Sequence, residues 1–148
     1  MSERESTTFL VDAEWLRRHL NDPGLRVVDV RPLLEQFQTG YPWGHIPGAV
    51  FLDIRQLFTV VDGIPGKLVP QAVGEAILGG LGLSREDSVV IYDESGGPLA
   101  ALFAWLLDYW GQARVSLLEG GGASVAGGRR RGYHGRADRA ADGIPGPA

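Results

Sequence analysis

Short apolar runs alternating with helical patterns constrain this chain more than any other feature. "LRVVDV" (25–30), "SVVIY" (88–92) and "RVSLLE" (114–119) are rich in β-branched residues and nearly continuous in apolar character. Strands with one wet face alternate polar and apolar residues. Continuous runs belong to parallel sheets covered on both faces. Between them lie patterns that suit helices. Asp12 can cap "AEWLRRHL", with Trp15, Leu16 and Leu20 on one face. "PQAVGEAILGGLGL" opens on proline and closes near glycines, and "PLAALFAWLLDYW" is apolar and also opens on proline. The expected fold is α/β, a central parallel sheet with helices on both faces. Strands are expected at 27–30, 89–92 and 115–118. A further short strand is expected at 49–52, and one or two helical turns over "DIRQLF".

Composition narrows the function. The chain has 148 residues, one domain by length, and a formal charge of -4, which argues against non-specific nucleic-acid binding. It has no cysteine, so disulfides, thiolate metal sites and cysteine nucleophiles are excluded. His19, His45 and His134 are far apart and suggest no metal cluster. No cofactor is expected. The start "MSERESTTFL" is polar, and the run 98–107 is too short to span a bilayer. A cytoplasmic domain without membrane contact is the expectation.

The composition shifts at Val125. Residues 125–148 hold five arginines and two aspartates, a net +3, without apolar periodicity. They read as an irregular Gly/Arg-rich tail after a domain of residues 1–124.

Three places could carry chemistry. Asp29 and Arg31 follow a strand, where α/β proteins bind ligands, but an ion pair that pins a loop is the simpler expectation. In "GHIPGA", Gly44 and Gly48 permit unusual backbone angles and Pro47 fixes its own. His45 between them can hold the loop through its ring. As a catalytic base it would lack a serine or cysteine to serve. The third place is the strand-to-helix turn Asp93-Glu94-Ser95-Gly96-Gly97, a geometry in which backbone N–H groups can surround an anion.

Four segments, "VDAEWLRRHLNDPGLRVVDVRP", "YPWGHIPGAVFLDI", "LGLSREDSVVIYDESGG" and "RVSLLEGG", together resemble a rhodanese domain. More narrowly, they are similar to the N-terminal, non-catalytic domain of tandem-domain thiosulfate or 3-mercaptopyruvate sulfurtransferases. The resemblance implies a rhodanese-like fold. It also implies that a catalytic domain would carry a persulfide-forming cysteine where this chain has Asp93. Residues 93–97 would then be the equivalent of the active-site loop, and Asp29, Arg31, Gly44, His45, Pro47 and Gly48 structural. The expected partner is a cysteine-bearing rhodanese domain, which does not follow in this sequence. Chemistry agrees: a persulfide needs a soft thiolate, and a carboxylate cannot hold sulfane sulfur. An inactive rhodanese-type binding or regulatory module is the alternative. A third reading makes Asp93 a nucleophile or base, but a phosphoryl-transfer site would want an aspartate where Ser95 stands. Self-association through exposed apolar surface would fit the tandem reading.

Two departures from the family pattern stand out. Leu102 occupies about the place of an arginine, and Val125 that of a tryptophan. Residues 125–131 can be encoded so that the frame one base later reads Trp-Arg-Ala-Ala-Gly. That peptide restores the tryptophan, so the tail is expected to be frameshift-derived. Nucleotide sequencing across codons 120–148 checks this. A shifted frame with tryptophan at codon 125 is the expected result, and a frame incapable of encoding it refutes the reading.

Overall fold

The computed structural model describes residues 9–94 and 97–127. Its centre is a five-stranded parallel sheet of β1 (Leu10–Val11), β2 (Leu25–Asp29), β3 (Val50–Phe51), β6 (Ser88–Tyr92) and β7 (Arg114–Leu118). The order is β1-β7-β6-β2-β3. β4 (Phe58–Val61) and β5 (Ile64–Leu68) form a separate antiparallel hairpin. The helices are α1 (Ala13–His19), α2 (Gln71–Gly80), α3 (Pro98–Tyr109) and α4 (Gly121–Gly127).

The strand pleat divides the interior in two. On β6, Val89 and Ile91 point into one cluster, with Phe103, Leu107 and Trp110 of the α3 segment and Leu78 of α2. Val90 and Tyr92 point into the other, with Leu16 of α1, Ile46, Ala49 and Val125 of α4. Each apolar residue of the central strand is therefore buried on one face or the other, as its continuous hydrophobicity requires. Helices cover both faces of the sheet, as the sequence pattern implies.

Local signals account for the elements. Asp12 Oδ1 accepts from the Trp15 N–H at 2.7 Å and caps α1. Pro70 precedes α2, and Pro98 begins α3, where a missing N–H costs nothing. "DIRQLF" forms a 3-10 turn over Ile54–Leu57, with Asp53 as its cap. β1 and the hairpin are additions to the sequence-based expectation. Two residues are too few for a pattern, but the hairpin has a legible turn in Asp62-Gly63, both at positive φ.

α4 also goes beyond the expectation. The sequence pattern bounds the domain at residue 124, whereas the helix runs through Gly127 and Val125 is buried in the second core. The remainder of the expected tail, 128–148, lies outside the described residues.

α2 packs closely against α3 at one glycine. A Cβ on Gly74 would come within 3.0 Å of three atoms of the Trp110 indole. Gly74→Ala favours an isolated helix, but here it must displace a buried ring. The expected outcome is destabilisation by about 1–3 kcal/mol, read from the urea midpoint. A neutral or stabilising result would show that Trp110 moves aside freely.

Candidate functional site

The site lies at the carboxyl ends of β2 and β6, which are neighbours in the sheet. The segment after β2 carries Ile46 and Ala49 onto one face, while α3, after β6, covers the other. Chains leaving adjacent strands toward opposite faces open a crevice between them, the usual ligand position in open α/β sheets.

Asp29 and Arg31 meet at the base of this crevice. Both are fully buried, at 0% and 1% exposure. Arg31 Nη2 donates to Asp29 Oδ2 at 2.6 Å, and Nε donates to both carboxylate oxygens at 3.0 Å. The Arg31 backbone N–H donates to Oδ1 at 2.9 Å. Nη2 also donates to the Gly44 carbonyl at 2.6 Å, tying the pair to "GHIPGA". The Tyr92 hydroxyl donates to Asp29 Oδ2 at 2.8 Å and accepts from the Ile46 N–H at 3.2 Å. Its ring lies 5.4 Å from the Arg31 guanidinium carbon. Such a buried pair stands only because its hydrogen bonds replace water.

The "GHIPGA" loop is built on a reverse turn. The Ala49 N–H donates to the Ile46 carbonyl at 2.9 Å, with Pro47 and Gly48 between them. Gly48 has φ 75°, which proline followed by glycine suits in a type II turn. His45 is buried, its Nδ1 lies 3.0 Å from the Tyr41 carbonyl, and its ring stacks on Tyr41 at 3.8 Å. The Tyr41 hydroxyl donates to the Ala49 carbonyl at 2.8 Å. Burial, then the nearby Asp29 charge, push that hydroxyl above its ordinary pKa.

Asp93 heads the strand-to-helix turn and is 5% exposed. Its Oδ1 accepts from the Gly97 N–H at 2.7 Å and its Oδ2 from the Ala100 N–H at 3.2 Å. The carboxylate thus takes amides at the start of α3 that could otherwise face an anion. Glu94 is half-exposed, with Oε2 3.7 Å from Arg31 Nη1. Ser95 and Gly96 lie outside the described residues. Beneath the turn, Gly122 and Ala123 of α4 donate to the carbonyls of Asp93 and Glu94, at 2.7 and 3.0 Å. Arg17 of α1 holds the other end of α4 through the Val125 carbonyl at 2.7 Å.

The structure thus brings Asp29, Arg31, Gly44 and Glu94 into one bonded group, with His45 beside it. It places Asp93 above them on its own amide contacts. Sequence reasoning missed Tyr92 and Tyr41. A tyrosine ending a buried strand needs a partner for its hydroxyl, and that was the available signal for Tyr92.

Residues 12–126 match the family model for the rhodanese-like domain. The chain belongs to the rhodanese-like domain family. Among curated rhodanese relatives, it is 34% identical over 121 residues to the 3-mercaptopyruvate sulfurtransferase of Escherichia coli (strain K12), covering 78% of this chain and 43% of that protein. It is 35% identical over 121 residues to the thiosulfate sulfurtransferase of Azotobacter vinelandii, covering 82% and 43%. The rhodanese fold extends to the crystal structure of the Escherichia coli 3-mercaptopyruvate sulfurtransferase SseA. That likeness has a TM-score of 0.70 at 33% identity, over 84% of this chain and 48% of that one. The chain therefore spans less than half the length of each of these relatives. Among the described residues, no helix is long and apolar enough to cross a membrane.

The bonded group at the crevice base yields two graded expectations. Asp29→Asn withdraws the charge that compensates buried Arg31 and should cost about 3–5 kcal/mol of stability. Tyr92→Phe removes one hydroxyl and should cost about 1.5–3 kcal/mol. Denaturant midpoints check both. Equal small losses would mean that water replaces the carboxylate.

Proposed function

We propose that this sulfurtransferase-family domain acts as the non-catalytic, N-terminal half of a thiosulfate or 3-mercaptopyruvate sulfurtransferase. Its role is to support a cysteine-bearing rhodanese domain. The observation that carries the reading is the carboxylate of Asp93. It stands where the family resemblance puts a persulfide-forming cysteine, and it accepts the Gly97 and Ala100 amides.

The chemistry follows from the residue types. Sulfane sulfur is carried on a thiolate, and the 148 residues contain no cysteine. A carboxylate that accepts two backbone N–H groups braces the turn. It neither forms a stable bond to sulfane sulfur nor leaves those amides free for a substrate anion. The fraction of the relatives' length that this chain covers also supports the reading, because the remaining length can supply the nucleophile. A cytoplasmic setting fits the same proposal. The relatives' donors, thiosulfate and 3-mercaptopyruvate, are the donor classes proposed for the intact two-domain enzyme.

Asp93→Cys alone should restore little transfer. Glu94, beside the new thiol, would raise its pKa and lower the thiolate fraction. Pro98 removes one amide from the cradle. The experiment has two readouts: thiocyanate formation from thiosulfate and cyanide, and mass spectrometry for the gain of one sulfur atom after thiosulfate treatment. The expected result is no turnover and no adduct for the natural chain, with at most a trace for Asp93→Cys. Turnover by the natural chain would overturn the proposal. Robust turnover by Asp93→Cys would show a complete anion cradle lacking only its nucleophile.

A further inference from the structure

We propose that α4 is a latch that undocks from the native fold on its own, and that its release loosens the Asp93–Glu94 turn at the crevice. Arg17 holds the latch shut. The two states are α4 docked and α4 released, with the parallel sheet intact in both.

The first observation is that α4 has little stability of its own. Isolated helices shorter than about 12–15 residues are marginal in water, and glycine is a poor helix former. α4 has seven residues, three of them glycine. Its bulkiest side chain is Val125, buried in the cluster of Leu16, Tyr92 and Leu118. Elements anchored by so little apolar surface open locally, at a smaller free-energy cost than the whole domain. A hinge is in place beside it. The end of β7 is fixed as far as Glu119, whose N–H donates to the Val11 carbonyl at 2.7 Å. Gly120 and Gly121 follow at φ 74° and 62°, a region that glycine enters and leaves without steric cost. α4 can therefore swing away while β7 stays paired.

The second observation is what α4 supports. The Gly122 and Ala123 N–H groups donate to the carbonyls of Asp93 and Glu94. Asp93 is thus tied on two sides. Its carbonyl accepts from α4, and its carboxylate accepts from the Gly97 and Ala100 amides at the start of α3. Gly122 also lies against the Tyr92 ring, where an added Cβ would stand 3.3 Å from Cδ2 and Cε2. The turn and the tyrosine before it therefore share α4 as backing. Release of α4 takes the amide donors from two carbonyls at once, and water must replace them. The Asp93 carboxylate then holds the α3 amides from a turn no longer fixed beneath.

The third observation is the fastening at the other end. Arg17 is exposed on α1, and its Nη2 donates to the Val125 carbonyl at 2.7 Å. The last carbonyls of a helix lack partners within it, and here a charged donor supplies one. This bond lies at the end of α4 away from the turn. It can be removed without altering any group at the crevice, so an effect there has to travel through α4.

Residue-resolved amide hydrogen exchange of the full chain, followed by nuclear magnetic resonance, tests the latch. In the natural chain Gly122, Ala123, Gly97 and Ala100 should exchange as one group, faster than Val90 and Ile91 of the central strand. Arg17→Met keeps the apolar stem and removes the donor, and unchanged far-UV circular dichroism would show that it remains folded. It should speed exchange at all four amides by about tenfold, the effect of losing one charged hydrogen bond. Arg17→Lys, which keeps a donor, should fall between the two. Exchange of Gly122 and Ala123 only at the rate of Ile91 would mean that α4 opens with the whole domain, and would overturn the proposal. So would faster exchange of Gly122 and Ala123 in Arg17→Met with Gly97 and Ala100 unchanged, because the turn would then not depend on α4. Unchanged rates at all four would overturn the role of Arg17. None of these readouts involves sulfur transfer, so this proposal and the non-catalytic reading can fail separately.

Discussion

A buried guanidinium holding a buried carboxylate two residues away organises the upper end of this sheet. Arg31 and Asp29 contribute more than an ion pair, because their hydrogen bonds extend into two other segments. Gly44 binds the guanidinium through its carbonyl, Tyr92 binds the carboxylate, and Ile46 binds Tyr92 in turn. The loop after β2 would otherwise be a long irregular stretch, from Val30 to Ala49. It is held over the sheet because its carbonyl and amide groups find buried charged and hydroxyl partners instead of water. Glu94 reaches the same guanidinium from the turn above, linking the two loops that border the crevice.

The crevice has two polar parts with different partners. The Asp29–Arg31 base bonds to the Gly44 loop and to Tyr92, while the Asp93 carboxylate above it bonds to the Gly97 and Ala100 amides. Asp93 satisfies amides at the start of α3 from within the chain. Two amides near the helix start thereby find a partner within the chain.

Much of the architecture was legible because it rests on local rules. The strands around 25–29, 88–92 and 114–118 follow from β-branched runs, and α1 from Asp12 with the apolar Trp15, Leu16 and Leu20. The ion-pair expectation for Asp29 and Arg31 matches the contacts they make, because residues two apart at a strand end share one side. The hairpin was signalled by Asp62-Gly63 between apolar residues, but its exposed, irregular strands lack a clean alternation. α4 was beyond reach for a physical reason. "GGASVAG" has three glycines in seven residues, and so poor a helix former is specified only by what it docks against. Tyr41 stacking on His45 and the amides beneath Asp93 are likewise tertiary facts, set by loops whose path no periodicity encodes.

That dependence of α4 on its docking has a consequence for the order of assembly. During synthesis the Asp93 turn emerges well before Gly121, so the carbonyls of Asp93 and Glu94 must wait for α4. Until α4 arrives, nascent chains carry a sheet whose second face is uncovered between α1 and the β6 turn. Arg17 waits for Val125, which follows it by 108 residues. Closure of the domain is therefore a long-range event that joins α1 to α4, and translation must pass α4 before the Asp93 turn is secured.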